Sequence, residues 1–218
     1  MSGVRPVYLF CDLDGVLADF YNAVIRITGK PIEYHQKQGT KAFGAMWKQL
    51  GRAEVYAHLD WETGGEQLWG GIRHLKPSIL TGMPQGNWAD GQKRYWCTTW
   101  LGPDVHVITC MSRDKPQVAQ AHISNATVAP HLFELNLDGL PSCVHLPQGE
   151  PPPPPKKAKS AHAERPSLST SILIDDTDRM VENWTHNGGI AIHHKSLPET
   201  LGALRTLGFA IPDGAVER

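Results

Sequence analysis

The chain has 218 residues, of which 40% are hydrophobic and 20% charged, so it is long enough for one globular core with a small appended subdomain. Its formal net charge of -1 argues against the broad basic surface that binding to bulk nucleic acid requires. No apolar run approaches the roughly 18 residues of a membrane span, and the N-terminal stretch lacks the apolar region of a secretory signal. We therefore expect no membrane association and a cytoplasmic location, with mitochondrion and nucleus left open.

The four cysteines are widely separated and form no Cys-x-x-Cys pair of the kind that binds zinc. Two of them, Cys11 and Cys110, lie in apolar runs typical of strands. This usage predicts reduced and mostly buried thiols.

Apolar runs that end in polar residues predict a parallel sheet. Each run is apolar on both faces, as expected for a strand covered by helices on both sides. The five predicted strands are residues 7 to 12, 77 to 82, 105 to 110, 171 to 176 and 189 to 194. Helical segments are predicted between and after them over 87 to 102, 177 to 187 and 197 to 208. The alternation predicts an α/β fold whose strand ends gather at one edge of the sheet.

Two regions do not fit that pattern. Residues 20 to 76 show helical apolar spacing and predict a small helical cap over the strand ends. Residues 122 to 170 contain "PQGEPPPPPKKAKSAHAERPS" and predict a flexible proline-rich insertion. The predicted domains are thus a core formed by 1 to 19 and 77 to 218, the cap at 20 to 76 and the insertion at 122 to 170.

Paired carboxylates at the end of the first strand indicate chemistry. Asp12 and Asp14 stand two residues apart in "YLFCDLDGVLADF", and Asp175, Asp176 and Asp178 follow a later strand. One carboxylate of a pair can attack phosphorus while the other donates a proton to the leaving oxygen. A phosphate dianion can approach such a cluster only if a hard cation is bound, and oxygen ligands favour Mg²⁺.

Phosphoryl transfer also needs hydrogen-bond donors and a cation for the phosphate oxygens. The Thr81 hydroxyl in "LTGMP" and Lys115 in "CMSRDK" follow two other predicted strands and can fill these roles. Lys93, within a predicted helix, is a second choice for the cation.

Four motifs, each after a predicted strand, resemble those of the haloacid dehalogenase superfamily of phosphatases. They are "DLDGVLADF", "ILTGMP", "SRDK" and "ILIDD", in that order. Within the superfamily the chain is most similar to the 5'(3')-deoxyribonucleotidases, because "KRYWCTTWLGP" and "TCMSRDK" also have counterparts there. The resemblance implies a Rossmann-like three-layer α/β/α sandwich with a small helical cap inserted after the first strand.

Carried over to this sequence, the resemblance implies Asp12 as nucleophile and Asp14 as general acid and then base. Thr81 would hold a phosphate oxygen, and Lys115 would neutralise the phosphoryl group. Arg113, in the same motif as Lys115, is a further candidate phosphate contact. Gly82 stands where the nucleotidases usually have a hydroxyl residue, which leaves its backbone as a phosphate contact.

The resemblance also implies a Mg²⁺ site. Its ligands would be the Asp12 carboxylate, the backbone carbonyl of Asp14 and the Asp175 carboxylate. Asp176 would support this set.

These motifs predict a Mg²⁺-dependent phosphomonoesterase that acts through an aspartyl-phosphate on a (deoxy)nucleoside monophosphate. The alternatives are a phosphatase of another small phosphometabolite or of a phosphoprotein, and a non-catalytic scaffold that works through its proline-rich segment. The predicted partner is a small phosphomonoester. The sequence leaves open a homodimer and an SH3-type or WW-type partner of the proline-rich segment.

Overall fold

The computed structural model describes residues 4–147 and 168–212, and in these residues seven strands form one sheet. The strands are β1 (Arg5–Cys11), β2 (Ser78–Gly82), β3 (Val107–Cys110), β4 (His131–Phe133), β5 (Val144–His145), β6 (Ser171–Asp175) and β7 (Ile190–His193). Their order is β3-β2-β1-β6-β7-β5, and β4 pairs with the first half of β1. The five predicted strands pair with one another in parallel. Strand β4 pairs antiparallel with β1, and β5 pairs antiparallel with β7.

Helices cover both faces of the sheet, so the protein has three layers. On β1 and β6, alternate residues belong to two separate hydrophobic clusters, as the two-residue period of a strand requires. Cys11 and Ile174 lie in the cluster that contains residues of α4, α5 and α8, whereas Phe10 and Leu173 pack with α6 and α7. The predicted α/β/α layout is therefore confirmed.

The described residues contain eight α-helices: α1 (Phe20–Thr28), α2 (Ile32–Lys37), α3 (Thr40–Arg52), α4 (Gly65–Ile72), α5 (Trp88–Trp100), α6 (Lys115–Ser124), α7 (Asp178–His186) and α8 (Leu197–Thr206). The three predicted helices of the core correspond to α5, α7 and α8. Local capping fixes several ends: the Asp19 carboxylate accepts a hydrogen bond from the Asn22 backbone at the start of α1, and Gly29 ends that helix in the left-handed region.

The segment between β1 and β2 divides into two parts. Helices α1, α2 and α3 pack on one another and form a helical cap at the strand ends, as predicted. Helix α4 instead packs against α8 and contributes Leu68 and Ile72 to the core. The predicted cap boundary at residue 76 is thus too late, because α4 carries the same helical apolar spacing as a cap helix and only its tertiary partner distinguishes it.

The prediction of a flexible insertion over 122 to 170 is wrong for its two ends. Helix α6 continues to Ser124, and β4 and β5 pair with β1 and β7. These strands have three and two residues, too short to show a period in the sequence, and backbone pairing to existing strands forms them. The proline run and the basic cluster after it lie outside the described residues.

The site is positioned by the order of the strands. From β1 the chain continues to β2 and β3 on one side of the sheet, and β6 and β7 lie on the other side of β1. The strand order therefore changes direction between β1 and β6. Ligands of open α/β sheets bind at the carboxyl ends of the strands at such a point. Cys11 pairs with Ile174 in register, which places the next residues, Asp12 and Asp175, side by side.

In the described residues no helix combines the length and the apolar character needed to cross a bilayer. The four cysteines are buried and none forms a disulfide, as predicted.

Candidate active site

A lysine that bridges two aspartates forms the centre of the site. Lys115, the first residue of α6, places its Nζ 2.9 Å from Asp12 Oδ2 and 2.7 Å from Asp175 Oδ2. The other oxygen of Asp12 accepts a hydrogen bond from the Leu13 backbone at 2.8 Å, and that of Asp175 accepts two from Thr177. All three charged groups are buried, so each depends on the others for its charge state.

The pKa values of the pair reflect this mutual dependence. Burial raises the pKa of Asp12, and the Lys115 ammonium opposes that shift by favouring the carboxylate. Burial alone would lower the pKa of Lys115, but Asp12 and Asp175 raise it above its ordinary value. Lys115 is therefore a permanent positive charge beside Asp12.

Asp176 completes a group of three carboxylates. Asp12, Asp175 and Asp176 each offer an oxygen, and these oxygens lie within 4.8 Å of one another. The Tyr21 hydroxyl donates a hydrogen bond to Asp176 Oδ2 at 2.9 Å. Asp176 Oδ1 is buried and has no hydrogen-bond partner within the described ranges. A buried oxygen without a partner, beside two other carboxylates, fits a ligand set for a hard metal ion.

Two further residues hold Asp176 in place. The backbone carbonyl of Asp176 accepts a hydrogen bond from His193 Nε2 at 2.9 Å, and this contact fixes the proton on Nε2 because a carbonyl only accepts. Gly15 adopts a φ of 74°, and a side chain there would overlap the Asp176 carboxylate and the Tyr21 ring. Glycine at this position therefore allows α1 of the cap to approach Asp176.

The Asp176 carboxyl group is expected to contribute a loss of stability to the metal-free protein as pH rises from about 4 to about 7. Burial and the charges of Asp12 and Asp175 raise the pKa of Asp176 from 3.8 to about 7, so in this window the folded state binds more protons than the unfolded state. The free energy of unfolding then falls by up to about 1.4 kcal/mol per pH unit from this group. Urea unfolding in EDTA across that range measures the slope.

Asp176→Asn is the control for this pH dependence, because asparagine does not titrate. Relative to the wild type, the variant should gain stability as pH rises across this window, and Mg²⁺ should restore most of the Asp176-dependent loss to the wild type at the high-pH end, where the ligands are deprotonated. An equal slope in wild type and variant would contradict the assignment to Asp176.

A second buried lysine holds the other predicted catalytic aspartate. Lys93 Nζ lies 2.7 Å from Asp14 Oδ2 and 2.9 Å from the Thr81 hydroxyl oxygen. Burial raises the pKa of Asp14, and Lys93 acts against that shift. Thr81 and Lys93 are fully buried, whereas Asp14 lines the cavity described below. The Thr81 hydroxyl oxygen accepts a hydrogen bond from Lys93, and Thr81 does not line the cavity, so its contact with phosphate stays a prediction.

Of the two other predicted phosphate contacts, Gly82 lines the cavity and Arg113 does not. Gly82 lines the cavity, and a side chain there would overlap the Ser112 hydroxyl, which also lines it. Ser112 therefore places a hydroxyl beside the position where the nucleotidases usually have one. Arg113 does not line this cavity, since its side chain is 69% exposed and contacts Asp114. The role of Arg113 as a phosphate contact therefore stays a prediction.

We expect Gly82→Ala to destabilise the protein by about 1–3 kcal/mol, because the added methyl group overlaps the Ser112 side chain. The double variant Gly82→Ala/Ser112→Gly should recover most of that loss, since it removes the obstructing group. Thermal unfolding of the three proteins measures both effects. A double variant no more stable than Gly82→Ala would show that the strain has another source.

A cavity of about 380 Å³ opens above the carboxylates, between the strand ends and the cap. This volume falls within the range of small-molecule sites. Aromatic residues form its cap side, with Phe20 stacked on Tyr56 at 5.1 Å and on Trp47 at 6.0 Å. Phe43 also lines it, whereas Trp61 packs against tryptophans of α5. Polar groups at the rim include Gln36, from α2, and Arg179, from α7.

Asp178 is the predicted carboxylate that the fold does not bring into the cluster. Its side chain is 84% exposed and lies 3.5 Å from His193 Nδ1. It is the first residue of α7 and does not belong to the group of three carboxylates.

Sequence reasoning missed Tyr21, Ser112 and His193. Each contacts or neighbours a site residue that is distant in sequence, and no local pattern reveals such a contact. Lys93, considered only second to Lys115, had a readable signal: it shares the buried face of α5 with Ala89 and Trp96, where a lysine is unusual.

No family model matches the chain, and no curated protein matches it. A solved structure that it resembles is a hydrolase from Streptococcus pneumoniae TIGR4, with 12% sequence identity and a TM-score of 0.48, over 94% of this chain and 100% of that one. At this degree of likeness, neither the activity nor the site of that hydrolase is transferred to this chain. The candidate site therefore rests on its own geometry.

Proposed function

We propose that the chain is a Mg²⁺-dependent phosphomonoester hydrolase of the haloacid dehalogenase type, with Asp12 as the residue that becomes phosphorylated. The observation that carries the proposal is the pairing of Asp12 with buried Lys115 in a carboxylate cluster at the floor of a capped cavity. Lys115 bridges two of the three clustered carboxylates, Asp12 and Asp175. Such a site suits a nucleophile that must approach an anionic substrate.

The reaction proceeds in two steps. First, the Asp12 carboxylate attacks phosphorus, the bond from phosphorus to the leaving oxygen breaks, and Asp14 gives its proton to that oxygen. Then water attacks the phosphorus of the aspartyl-phosphate, Asp14 takes the water proton, and the bond to Asp12 breaks to release inorganic phosphate. The raised pKa of Asp14 suits a group that begins as an acid.

Asp12, Asp175 and Asp176 would hold Mg²⁺, with the Asp14 backbone carbonyl as a further ligand. When bound, the ion neutralises the carboxylates and allows a phosphate dianion to approach them. Lys115 contributes a fixed positive charge to the same end, and Ser112 and Gly82, which line the same cavity, would supply a hydroxyl and a backbone donor to the phosphoryl group.

The substrate we propose is a (deoxy)nucleoside monophosphate. The cavity is of small-molecule size, and its cap side presents Phe43 and Trp47, which are partly exposed and can contact a planar base. Gln36 supplies hydrogen-bonding groups at the rim. A small cap over the strand ends also suits a compact ester better than a folded phosphoprotein.

The test is phosphate release from a panel of nucleoside 5'- and 3'-monophosphates, sugar phosphates and an aryl phosphate, each with Mg²⁺ or EDTA. We expect metal-dependent release concentrated on deoxynucleotides. Release from sugar phosphates or from the aryl ester alone would keep the chemistry and contradict the nucleotide assignment. No release by the folded protein would contradict the proposal and favour a non-catalytic binding role.

A further inference from the structure

Lys93 is a buried charge that cannot itself reach the phosphate. Its side chain is fully buried, and it does not line the cavity. Its ammonium has three N–H groups, and three acceptors surround it: Asp14 Oδ2 at 2.7 Å, the Thr81 oxygen at 2.9 Å and the face of the Tyr56 ring at 4.2 Å from its centroid. All donors of Lys93 are therefore engaged by protein groups.

Stability alone gives a weak reason for such a group. Burying an ion pair costs several kcal/mol per ion before the pair recovers it, and a well-packed apolar residue often serves as well. The neighbours of Lys93 on the inner face of α5 are Ala89, Trp96 and Cys97, so an apolar residue would continue that face. A lysine among these apolar residues is therefore better explained by its ion pair with Asp14 than by the packing of the helix.

The two carboxylate oxygens of Asp14 have different surroundings. Oδ2 is fixed by Lys93, whereas Oδ1 is buried and has no hydrogen-bond partner among residues 4–147 and 168–212. Asp14 lines the cavity beside Asp12. The carboxyl group that lines the cavity is thus anchored by Lys93 through one oxygen and engaged by no other described side chain through the second.

We propose that Lys93 is a positioning residue that orients Asp14, so that its carboxyl group delivers the proton to the leaving oxygen and later accepts one from water. This inference rests on the proposed phosphatase function. Lys93 acts through Asp14, whereas Lys115 acts on Asp12 and Asp175. The two buried lysines therefore serve different halves of the reaction, proton transfer and phosphoryl transfer.

The dependence of rate on the leaving group separates these roles. An alkyl phosphate needs a proton on its leaving oxygen, whereas 2,4-dinitrophenyl phosphate releases a phenolate that needs none. The parameter kcat/KM reports phosphorylation of Asp12 and excludes its later hydrolysis. In Lys93→Met we expect kcat/KM for the best alkyl substrate to fall by about 10²–10³-fold, and that for the dinitrophenyl ester to change little.

Asp14→Asn and Lys115→Met are the matched comparisons. Asp14→Asn should reproduce the selective loss, and the double variant with Lys93→Met should lose little more, since both act on one step. Lys115→Met should lower kcat/KM for both esters by similar factors. If Lys93→Met does not fold, Lys93→Gln provides a shorter side chain that keeps an NH2 donor group, and it should show the same selectivity with a smaller loss.

Equal losses on both esters in the Lys93 variants would overturn this inference while leaving the proposed function intact. If Asp12→Asn turned over the esters as fast as the wild type, or if the wild type turned over no ester, the proposed function would be overturned and this inference with it.

Discussion

Asp12→Asn is expected to lower turnover by at least about 10⁴-fold while the protein stays folded. The amide cannot attack phosphorus, yet its oxygen can still accept the hydrogen bond from the Leu13 backbone at the position of Asp12 Oδ1. Lys115 keeps its contact with Asp175 at 2.7 Å, so the buried ammonium retains a partner. Steady-state phosphate release on the best substrate of the panel measures the loss.

Asp138→Asn is the matched control for this substitution, since Asp138 is an exposed aspartate distant from the cavity. It should leave turnover unchanged. Residual activity of Asp12→Asn near the wild-type value, in a preparation free of contaminating phosphatase, would contradict the assignment of the nucleophile.

Lys115→Met is expected to destabilise the metal-free protein by about 3–5 kcal/mol and to lower its activity on every ester. Without the ammonium, two buried carboxylates face each other with no countercharge. The stability loss should shrink as pH is lowered, because protonated carboxyl groups need no countercharge, and Mg²⁺ should recover part of it. Urea unfolding in EDTA and in Mg²⁺, at neutral and acidic pH, measures these effects.

Lys48→Met provides the comparison, because Lys48 is exposed on α3 and its replacement should change stability by no more than about 0.5 kcal/mol. A loss below about 1 kcal/mol in Lys115→Met, or a loss that grows toward acidic pH, would show that Lys115 does not hold these carboxylates together.

The central sheet and the chemical centre were predictable because both depend on local patterns. Strands buried on both faces read as continuous apolar runs, and the end of each run marks where a polar side chain reaches the ligand edge. Asp12, Asp175 and Lys115 follow such runs, so the rule that parallel strands end at one edge was enough to bring them together. The structure confirms that these three residues meet.

The remaining features depend on tertiary contacts that no short pattern encodes. Tyr21 and Asp176 are 155 positions apart in sequence and meet only because α1 passes over Gly15. The strands β4 and β5 are created by pairing with their neighbours rather than by their own composition. Thr81 was placed correctly at the end of a strand, but its hydroxyl partner could be identified only once Lys93 was known to be buried beside it.

The most direct test of the central claim is to look for phosphate on Asp12. Asp14→Asn should slow hydrolysis of the intermediate, so the variant is mixed with the aryl phosphate and Mg²⁺, quenched in acid and digested for peptide mass spectrometry. The account predicts one phosphoryl group on the peptide that contains Asp12, and none when EDTA replaces Mg²⁺. Turnover of the ester with an unmodified Asp12 peptide at every quench time would contradict it.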